Sequence, residues 1–343
     1  MAASTLLASL AALAEAADRT PAWPGESWRR LGELDGLRWL VPVEYGGLVA
    51  PAVELFQRYE SISTACLTTC FLLSQRDSAV RRIVASGNEE LSRELLPPLA
   101  RGEKFATVGI AQITTSRQHM RPAMRAVIER DVIRLDGVMP WVTGAAKADH
   151  IISGAVTEDG RQLLVALPGG TPGVHIDPPM DLMALRGSCT TQVHCDNVRL
   201  DRHWLLAGPA ERVITGEATG GLTTSCLALG LAESATMYLR QEADARPELT
   251  PVAERLENRR RSLWQTLLRH AEGTGSPEEA NYLRAEANLC VMQATQAALT
   301  ASKGTGFVHP HPAQRWARQA LFFLVWSCPK PTAEMMYECL AGE

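Results

Sequence analysis

The stretch Asp136-Gly-Val-Met-Pro-Trp-Val-Thr-Gly-Ala-Ala-Lys-Ala-Asp149 joins a small-residue turn, a Trp and a Thr two positions apart, and a second small-residue turn. Residues two positions apart in a strand point to the same face, so Trp141 and Thr143 are predicted to face one neighbour. An aromatic ring stacks on a planar heteroaromatic group, and a hydroxyl can bond a ring nitrogen. The pair is therefore a candidate wall for a planar cofactor, and ordinary core packing is the alternative.

The composition is that of an ordinary globular protein with more than one domain. The chain has 343 residues, 46% hydrophobic and 21% charged, with a net charge of -4. The negative charge and the lack of a basic block predict no nucleic-acid partner. No apolar run is long enough to predict a membrane span. The eight cysteines form no CxxC pair and no zinc spacing, which favours reduced thiols in a cytoplasmic protein. His309 and His311 flank Pro310 without an apparent third ligand, so no metal site is predicted.

Periodicity predicts an α+β multidomain chain. Residues 1–104 follow helical spacing and are predicted to form an N-terminal all-helical domain, including one long segment from Val53 to about Ala85. Asn88, with two Glu after it, is predicted to cap the next helix. Residues 213–343 return to helical spacing and predict a C-terminal four-helix bundle.

The middle of the chain, residues 105–212, has short β-rich runs separated by turn signals about every ten residues. This alternation predicts a central antiparallel β-barrel or sandwich. The turn signals are Asp136-Gly137, Glu158-Asp-Gly160, Gly169-Gly170 and Pro172-Gly173.

Motifs along nearly the whole chain resemble those of the acyl-CoA dehydrogenase family, in the same order and with similar spacing. The segment Val41-Pro42-Val43-Glu44-Tyr45-Gly46-Gly47 resembles the family's entry motif, and Trp141-Val-Thr143 resembles its strand against the flavin. Others are Gly87-Asn-Glu-Glu90, Leu185-Arg-Gly-Ser188, Gly304-Thr-Gly306-Phe307 and Arg318.

The resemblance implies an oxidoreductase that binds FAD between the β domain and the C-terminal bundle, as a homodimer or homotetramer. It implies removal of a proton beside a thioester carbonyl and hydride transfer to flavin N5. Trp141 would flank the isoalloxazine, and Thr143 would bond near N5. Further flavin contacts implied by the resemblance come from a strand with Gln112, Thr114, Thr115 and Ser116, and from the backbone at Gly304 and Gly306.

The sequence departs from the family at the position of the catalytic base. Ser327 occupies the usual Glu slot, and Thr223 occupies the position that some relatives use instead. Since a hydroxyl is a poor base without a neighbour to take its proton, the base is unidentified. Glu334 is the nearest substitute considered, about two helical turns beyond the slot, roughly 10 Å.

A second departure concerns the FAD tail. The stretch from Arg240 to Leu249 lacks the Arg-x-x-Phe-Gly-like segment that reaches a neighbouring subunit's pyrophosphate in relatives. Because the chain lacks this contact to the pyrophosphate, which FAD has and FMN does not, FMN stays an alternative to FAD.

Three functions stay open from the sequence. The first is an acyl-CoA dehydrogenase-type enzyme acting on acyl-CoA or another acyl thioester, with an electron acceptor as partner. The second is a two-component flavin monooxygenase on the same fold, supplied by a flavin reductase. The third is a non-catalytic relative, which the flavin-wall motif disfavours.

Overall fold

The chain folds into N-terminal helices, a central sheet and C-terminal helices. The structure is a computed structural model that describes residues 2–114, 123–214, 220–326 and 328–342. Both helical regions and the sheet share one hydrophobic core that includes Leu10, Phe56, Val142 and Leu227. The predicted α+β fold class is confirmed.

The N-terminal helices are α1 (Ala2–Arg19), α2 (Gly25–Glu33), α3 (Ala52–Ala65), α4 (Leu67–Ala85) and α5 (Glu89–Ala100). The prediction of one helix from Val53 to Ala85 is wrong, because Cys66 is extended (φ -155°, ψ 100°) and separates α3 from α4. Apolar residues continue on both sides of Cys66, so periodicity gives no sign of the break. The predicted N-cap is confirmed, since Asn88 Oδ1 accepts a hydrogen bond from Leu91 N at 3.1 Å.

The sheet contains the strands β1 (Ala106–Gly109), β2 (Met124–Glu129), β3 (Val132–Val142), β4 (His150–Thr157), β5 (Gln162–Pro168), β6 (Val174–Ile176), β7 (Thr191–Asp201) and β8 (Leu205–Ala210). Its order is β6-β7-β3-β2-β4-β5-β8, and β1 pairs with β4. The sheet is mixed rather than wholly antiparallel, because β1 and β2 both run parallel to β4. Hairpin periodicity does not reveal strand direction, so this difference was not predictable from the turn spacing.

The predicted turn at Asp136-Gly137 is wrong. Both residues lie within β3, where the register with β7 shifts between Leu135 and Gly137. Gly137 has φ +135°, and a side chain there would meet Ala123 O at 2.1 Å. The glycine therefore permits a β-bulge in a long strand rather than a chain reversal.

The C-terminal helices are α7 (Gly220–Ala245), α8 (Thr250–Ala271), α9 (Pro277–Ala301), α10 (Pro312–Phe322) and α11 (Lys330–Ala341). Helices α7 to α10 pack on one another as the predicted bundle. Ser276 and Glu279 form a capping box at the start of α9. α11 also packs against α9.

A buried ionic network fixes α4 within the N-terminal helices. Arg76 Nη1 donates to Asp77 Oδ1 at 2.7 Å, and both side chains are about 1% exposed. Tyr59 Oη donates to Asp77 Oδ2 at 2.5 Å, so the buried carboxylate has partners on both oxygens. Arg76 Nη2 also donates to the carbonyls of Leu37 and Leu99, which joins three segments of the chain.

Asp77→Asn is expected to lower the free energy of unfolding by about 3–5 kcal/mol, because it leaves the Arg76 guanidinium buried without a carboxylate. Urea unfolding followed by circular dichroism measures the change. Glu103→Gln, which removes an exposed partner of Arg101 outside the helices, is the control and should leave stability unchanged. A change below about 1 kcal/mol in Asp77→Asn would contradict the assignment.

Candidate functional site

Trp141 presents an open aromatic face at the end of β3. The pairing of β3 with β7 shifts register between Met139 and Val142, so Trp141 lies in an irregular part of the strand. Its side chain is 55% exposed, whereas Val142 is fully buried. A large aromatic ring left open at a strand end is a suitable surface for a planar ligand.

Thr143 follows β3 rather than lying within it, so the argument from strand alternation does not extend to this residue. Its side chain is buried, and its Oγ1 lies 3.2 Å from Thr190 Oγ1. Thr190 Oγ1 in turn lies 2.9 Å from Ser188 Oγ. Gly144 N donates to Ser188 O at 2.8 Å, which closes the turn against the same segment. Three hydroxyls therefore form a connected chain directly after Trp141.

The turn that holds Ser188 is fixed to the N-terminal helix α1 through Asp18. Leu185 N donates to Asp18 Oδ1 at 2.8 Å, and the Asp18 side chain is fully buried. The backbones approach closely here, since a side chain on Gly187 would meet Ala17 O at 2.3 Å. Glycine at this position therefore allows the turn to lie on α1.

Asp18 also binds α10, which leads to the predicted base slot. Gln319 Nε2 donates to Asp18 Oδ1 at 2.8 Å, and Arg318 Nη2 forms an ion pair with Asp18 Oδ2 at 2.8 Å. Arg318 Nη1 donates to Met183 O at 2.8 Å, which adds a second link to the sheet region. Sequence reasoning missed Asp18. The pattern that could have identified it is its spacing. Asp18 follows Leu10 and Ala14 at intervals of four residues, which places a charged side chain on the buried face of α1.

The end of α10 carries an aromatic cluster. Phe322 and Trp326 stack with centroids 5.1 Å apart, and Phe71 of α4 meets both rings edge-on at 4.9 Å. Val325 lies between them in sequence and is 75% exposed. Ser327, the predicted occupant of the base slot, comes next and lies outside the described residues.

The segment after β1 differs from the prediction. Residues Ala111–Thr114 form the short helix α6 rather than a strand. Gln112 Nε2 donates to Gly109 O and Gly154 O at 2.8 and 2.6 Å, so its amide ties α6 to the sheet. Thr114 is exposed, and its hydroxyl donates back to Ile110 O. Thr115 and Ser116 lie outside the described residues.

Gly304 and Gly306 lie in the 3-10 turn Lys303–Phe307. A side chain on Gly304 would meet nothing within 4 Å, so its backbone borders open space. Gly306 is buried, and a side chain there would meet Ser302 Cβ at 2.3 Å. Gly304 therefore leaves room beside the backbone, whereas Gly306 serves the packing of the turn.

Glu334 lies on α11, a separate helix, so the prediction of two further turns of one helix beyond the slot is wrong. Its side chain is 57% exposed, and its Oε1 lies 3.5 Å from Lys330 Nζ. Burial raises the pKa of the nearby Cys328 thiol, which disfavours a thiolate nucleophile there.

The two histidines considered as metal ligands have separate partners. His309 Nδ1 lies 3.0 Å from Glu15 Oε1, and His311 Nδ1 accepts from Ala313 N at the start of α10. Within residues 2–114, 123–214, 220–326 and 328–342, no group of three potential ligands is arranged to hold a metal ion. In those same ranges no helix has both the length and the apolar character of a membrane span.

The residues around Trp141 fit a flavin in chemistry. The site offers an exposed aromatic face and a hydroxyl chain, and α10 is anchored to the same turn. The arginines of the divergent stretch are engaged within the chain. Arg240 pairs with Glu233 and Glu257, and Arg246 bonds Glu242 and Ala301 O.

Comparison with known proteins defines the class. The chain superposes on the structure of a glutaryl-coenzyme A dehydrogenase in a glutaryl-CoA complex, with a TM-score of 0.87, 18% identity, and coverage of 99% and 95% of the two chains. It superposes on a glutaryl-CoA dehydrogenase from Mycobacterium smegmatis in complex with FADH2, with a TM-score of 0.80, 20% identity, and coverage of 99% and 95%. These likenesses establish the acyl-CoA dehydrogenase fold.

Sequence comparison gives the family. Residues 1–103 match the family model described as acyl-CoA dehydrogenase, N-terminal domain. The chain is 25% identical over 330 residues to a probable acyl-CoA dehydrogenase, YngJ, of Bacillus subtilis, covering 90% of this chain and 87% of that protein. These matches support membership of the acyl-CoA dehydrogenase family.

Asp18→Asn is expected to lower the free energy of unfolding by about 1–3 kcal/mol, because the amide cannot neutralise Arg318 and replaces the oxygen that faces its guanidinium with an NH2 group. Chemical denaturation measures the effect. Glu129→Gln, which removes an exposed partner of Arg134 at 3.8 Å, is the control and should resemble the wild type. Equal stability of the two variants would contradict the role given to Asp18.

Proposed function

We propose that the protein is a flavin-dependent oxidoreductase that acts on an acyl thioester, with FAD as its cofactor. The observation that carries the proposal is the 55% exposed ring of Trp141, placed beside a hydroxyl chain that Asp18 connects to α10. A purely structural strand would be expected to bury such a ring. The matches to acyl-CoA dehydrogenases support the same class of reaction.

The chain's own residues would bind and orient the cofactor. Trp141 would stack on its ring system, and the hydroxyl of Thr143 would donate to it while bonded to Thr190. Thr114, Thr115 and Ser116 would add hydroxyl contacts, and the open backbone at Gly304 would admit a polar tail. When bound, the flavin supplies a two-electron acceptor for hydride.

The divergent stretch from Arg240 to Leu249 bears on the identity of the cofactor. Arg246 is held by Glu242 and by a carbonyl of α9, so it supports the bundle rather than reaching out of the chain. FMN is therefore the alternative to FAD.

A two-component flavin monooxygenase is the second candidate function, and the occupant of the base slot favours it. Ser327 stands where the resemblance requires a Glu, and Glu334 is exposed on a separate helix. Desaturation needs a base held against the carbon beside the thioester carbonyl, whereas oxygen chemistry on a reduced flavin does not need this carboxylate. The partner would be a flavin reductase in this case and an electron acceptor in the first. In both cases we expect a homodimer or homotetramer.

Trp141→Ala is expected to weaken FAD binding about tenfold or more, because the exposed ring no longer supplies a stacking surface. Titration of the flavin-free protein, followed by flavin fluorescence, gives the dissociation constant. Tyr282→Ala removes another exposed aromatic ring, on α9, and should bind FAD like the wild type. A wild-type protein that takes up neither FAD nor FMN would end the proposal.

Anaerobic mixing of the flavin-loaded protein with acyl-CoAs separates the two functions. Bleaching of the flavin without added reductant supports the dehydrogenase. Reduction only by a flavin reductase, followed by substrate oxygenation when oxygen is admitted, supports the monooxygenase.

If the protein is a dehydrogenase that lacks its base, Ser327→Glu is expected to increase the bleaching rate about a hundredfold, because it supplies a carboxylate in the slot. The stopped-flow rate should rise with pH as this carboxylate loses its proton. Ser327→Gln has a similar size without a basic group and is the control. Equal rates for the Glu and Gln variants would contradict the assignment of residue 327 to the slot.

A further inference from the structure

Arg284 of α9 is a buried cation without a carboxylate partner. Its side chain is 2% exposed, and Nη2 donates to Phe323 O at 3.3 Å and to Trp326 O at 2.8 Å. Nε and Nη1 are buried and have no hydrogen-bond partner, and within the described residues no Asp or Glu forms an ion pair with this guanidinium. Two donors of one buried cation are therefore unsatisfied.

Three other buried arginines face carboxylates. Arg76 pairs with Asp77, Arg315 pairs with Glu15, and Arg260 pairs with three glutamates, of which Glu60 is 2.7 Å away. Burying a charge without a partner is strongly unfavourable, so the exception at Arg284 requires a compensating group.

The surroundings of Arg284 are polar although they are buried. Asn288, one turn along α9, donates from Nδ2 to Phe323 O at 3.0 Å, and its Oδ1 has no partner. Cys328 interacts electrostatically with Arg284, and burial raises the pKa of its thiol. Burial lowers the pKa of Arg284 to about 9, so the guanidinium still carries its charge at neutral pH.

We propose that Arg284 Nε and Nη1 bind one small monovalent anion, a carboxylate or a halide, at the junction of α9, the end of α10 and α11. The anion accepts hydrogen bonds from both donors and balances the positive charge of the guanidinium. Such charge-assisted hydrogen bonds are among the strong ones in proteins. A carboxylate here comes either from solution or from the acyl group of the substrate. The second source rests on the proposed function, because Arg284 holds Trp326 O, directly before Ser327.

The test uses the full-length protein at constant ionic strength, with sodium isethionate, a bulkier sulfonate, replaced stepwise by sodium acetate or sodium bromide. We expect a saturable rise of Tm by about 3 °C in the wild type, because the ion binds the folded state. Arg284→Gln should lose the saturable rise, and Arg284→Lys should move its midpoint to at least tenfold higher anion concentration. Arg315→Gln removes a buried arginine that already has Glu15 and should keep the wild-type response.

Two further measurements complete the test. A bromide-soaked crystal should show an anomalous peak beside Arg284 Nε and Nη1. If Arg284→Gln also lowers the ratio of kcat/KM for succinyl-CoA to that for butyryl-CoA at least tenfold, the anion is the carboxylate of the substrate; if only the Tm response is lost, it is a free ion.

A Tm that responds to acetate and bromide identically in wild type and Arg284→Gln, with no bromide peak, would overturn the site. Because the Tm response needs neither flavin nor turnover, this result is distinguishable from a failure of the proposed function.

Discussion

The buried carboxylate of Asp18 connects three elements that are distant in the chain. Its Oδ1 accepts hydrogen bonds from the backbone of the turn at Leu185 and from Gln319, and its Oδ2 forms an ion pair with the guanidinium of Arg318. A charge at 0% exposure is tolerated only when its partners are fixed, so these contacts determine how α1, the turn and α10 lie relative to one another. The position of α10 against the turn at Leu185 therefore depends on this one side chain.

A second set of interactions, from α9, fixes the C-cap of α10 and the turn that follows it. Arg284 and Asn288 both donate to Phe323 O, and Arg284 also reaches Trp326 O. A cation beside the terminal carbonyls of a helix satisfies groups that have no partner within the helix and opposes the negative end of its dipole. The segment before position 327 is thus held at two places. Asp18 contacts Arg318 and Gln319 within α10, and α9 bonds the carbonyls that follow α10.

The parts of this structure that the sequence predicts are those set by local signals. Asn88 caps a helix because its side chain reaches an amide three residues away, and the hairpin at Gly160 follows from its turn residues. The break at Cys66 and the bulge at Gly137 were missed, because packing across the fold decides them while the local pattern fits a continuous helix or a turn. The same limit applies at the candidate site. The motif identifies Trp141, but the partners of Asp18 lie about 170 and 300 residues away and leave no local pattern.

The site separates two requirements that a desaturating enzyme must combine. Holding a flavin needs a flat apolar surface, hydroxyls and a fixed frame. In the proposed function, Trp141, the chain of hydroxyls and Asp18 would supply these independently of any base. Proton removal needs one carboxylate at one position, and Ser327 does not provide it. Since the frame extends through α10 up to the residue before the slot, a change at position 327 leaves the frame intact while it alters the chemistry. The fold therefore constrains where a reaction would occur, and the occupant of the slot constrains which reaction it is.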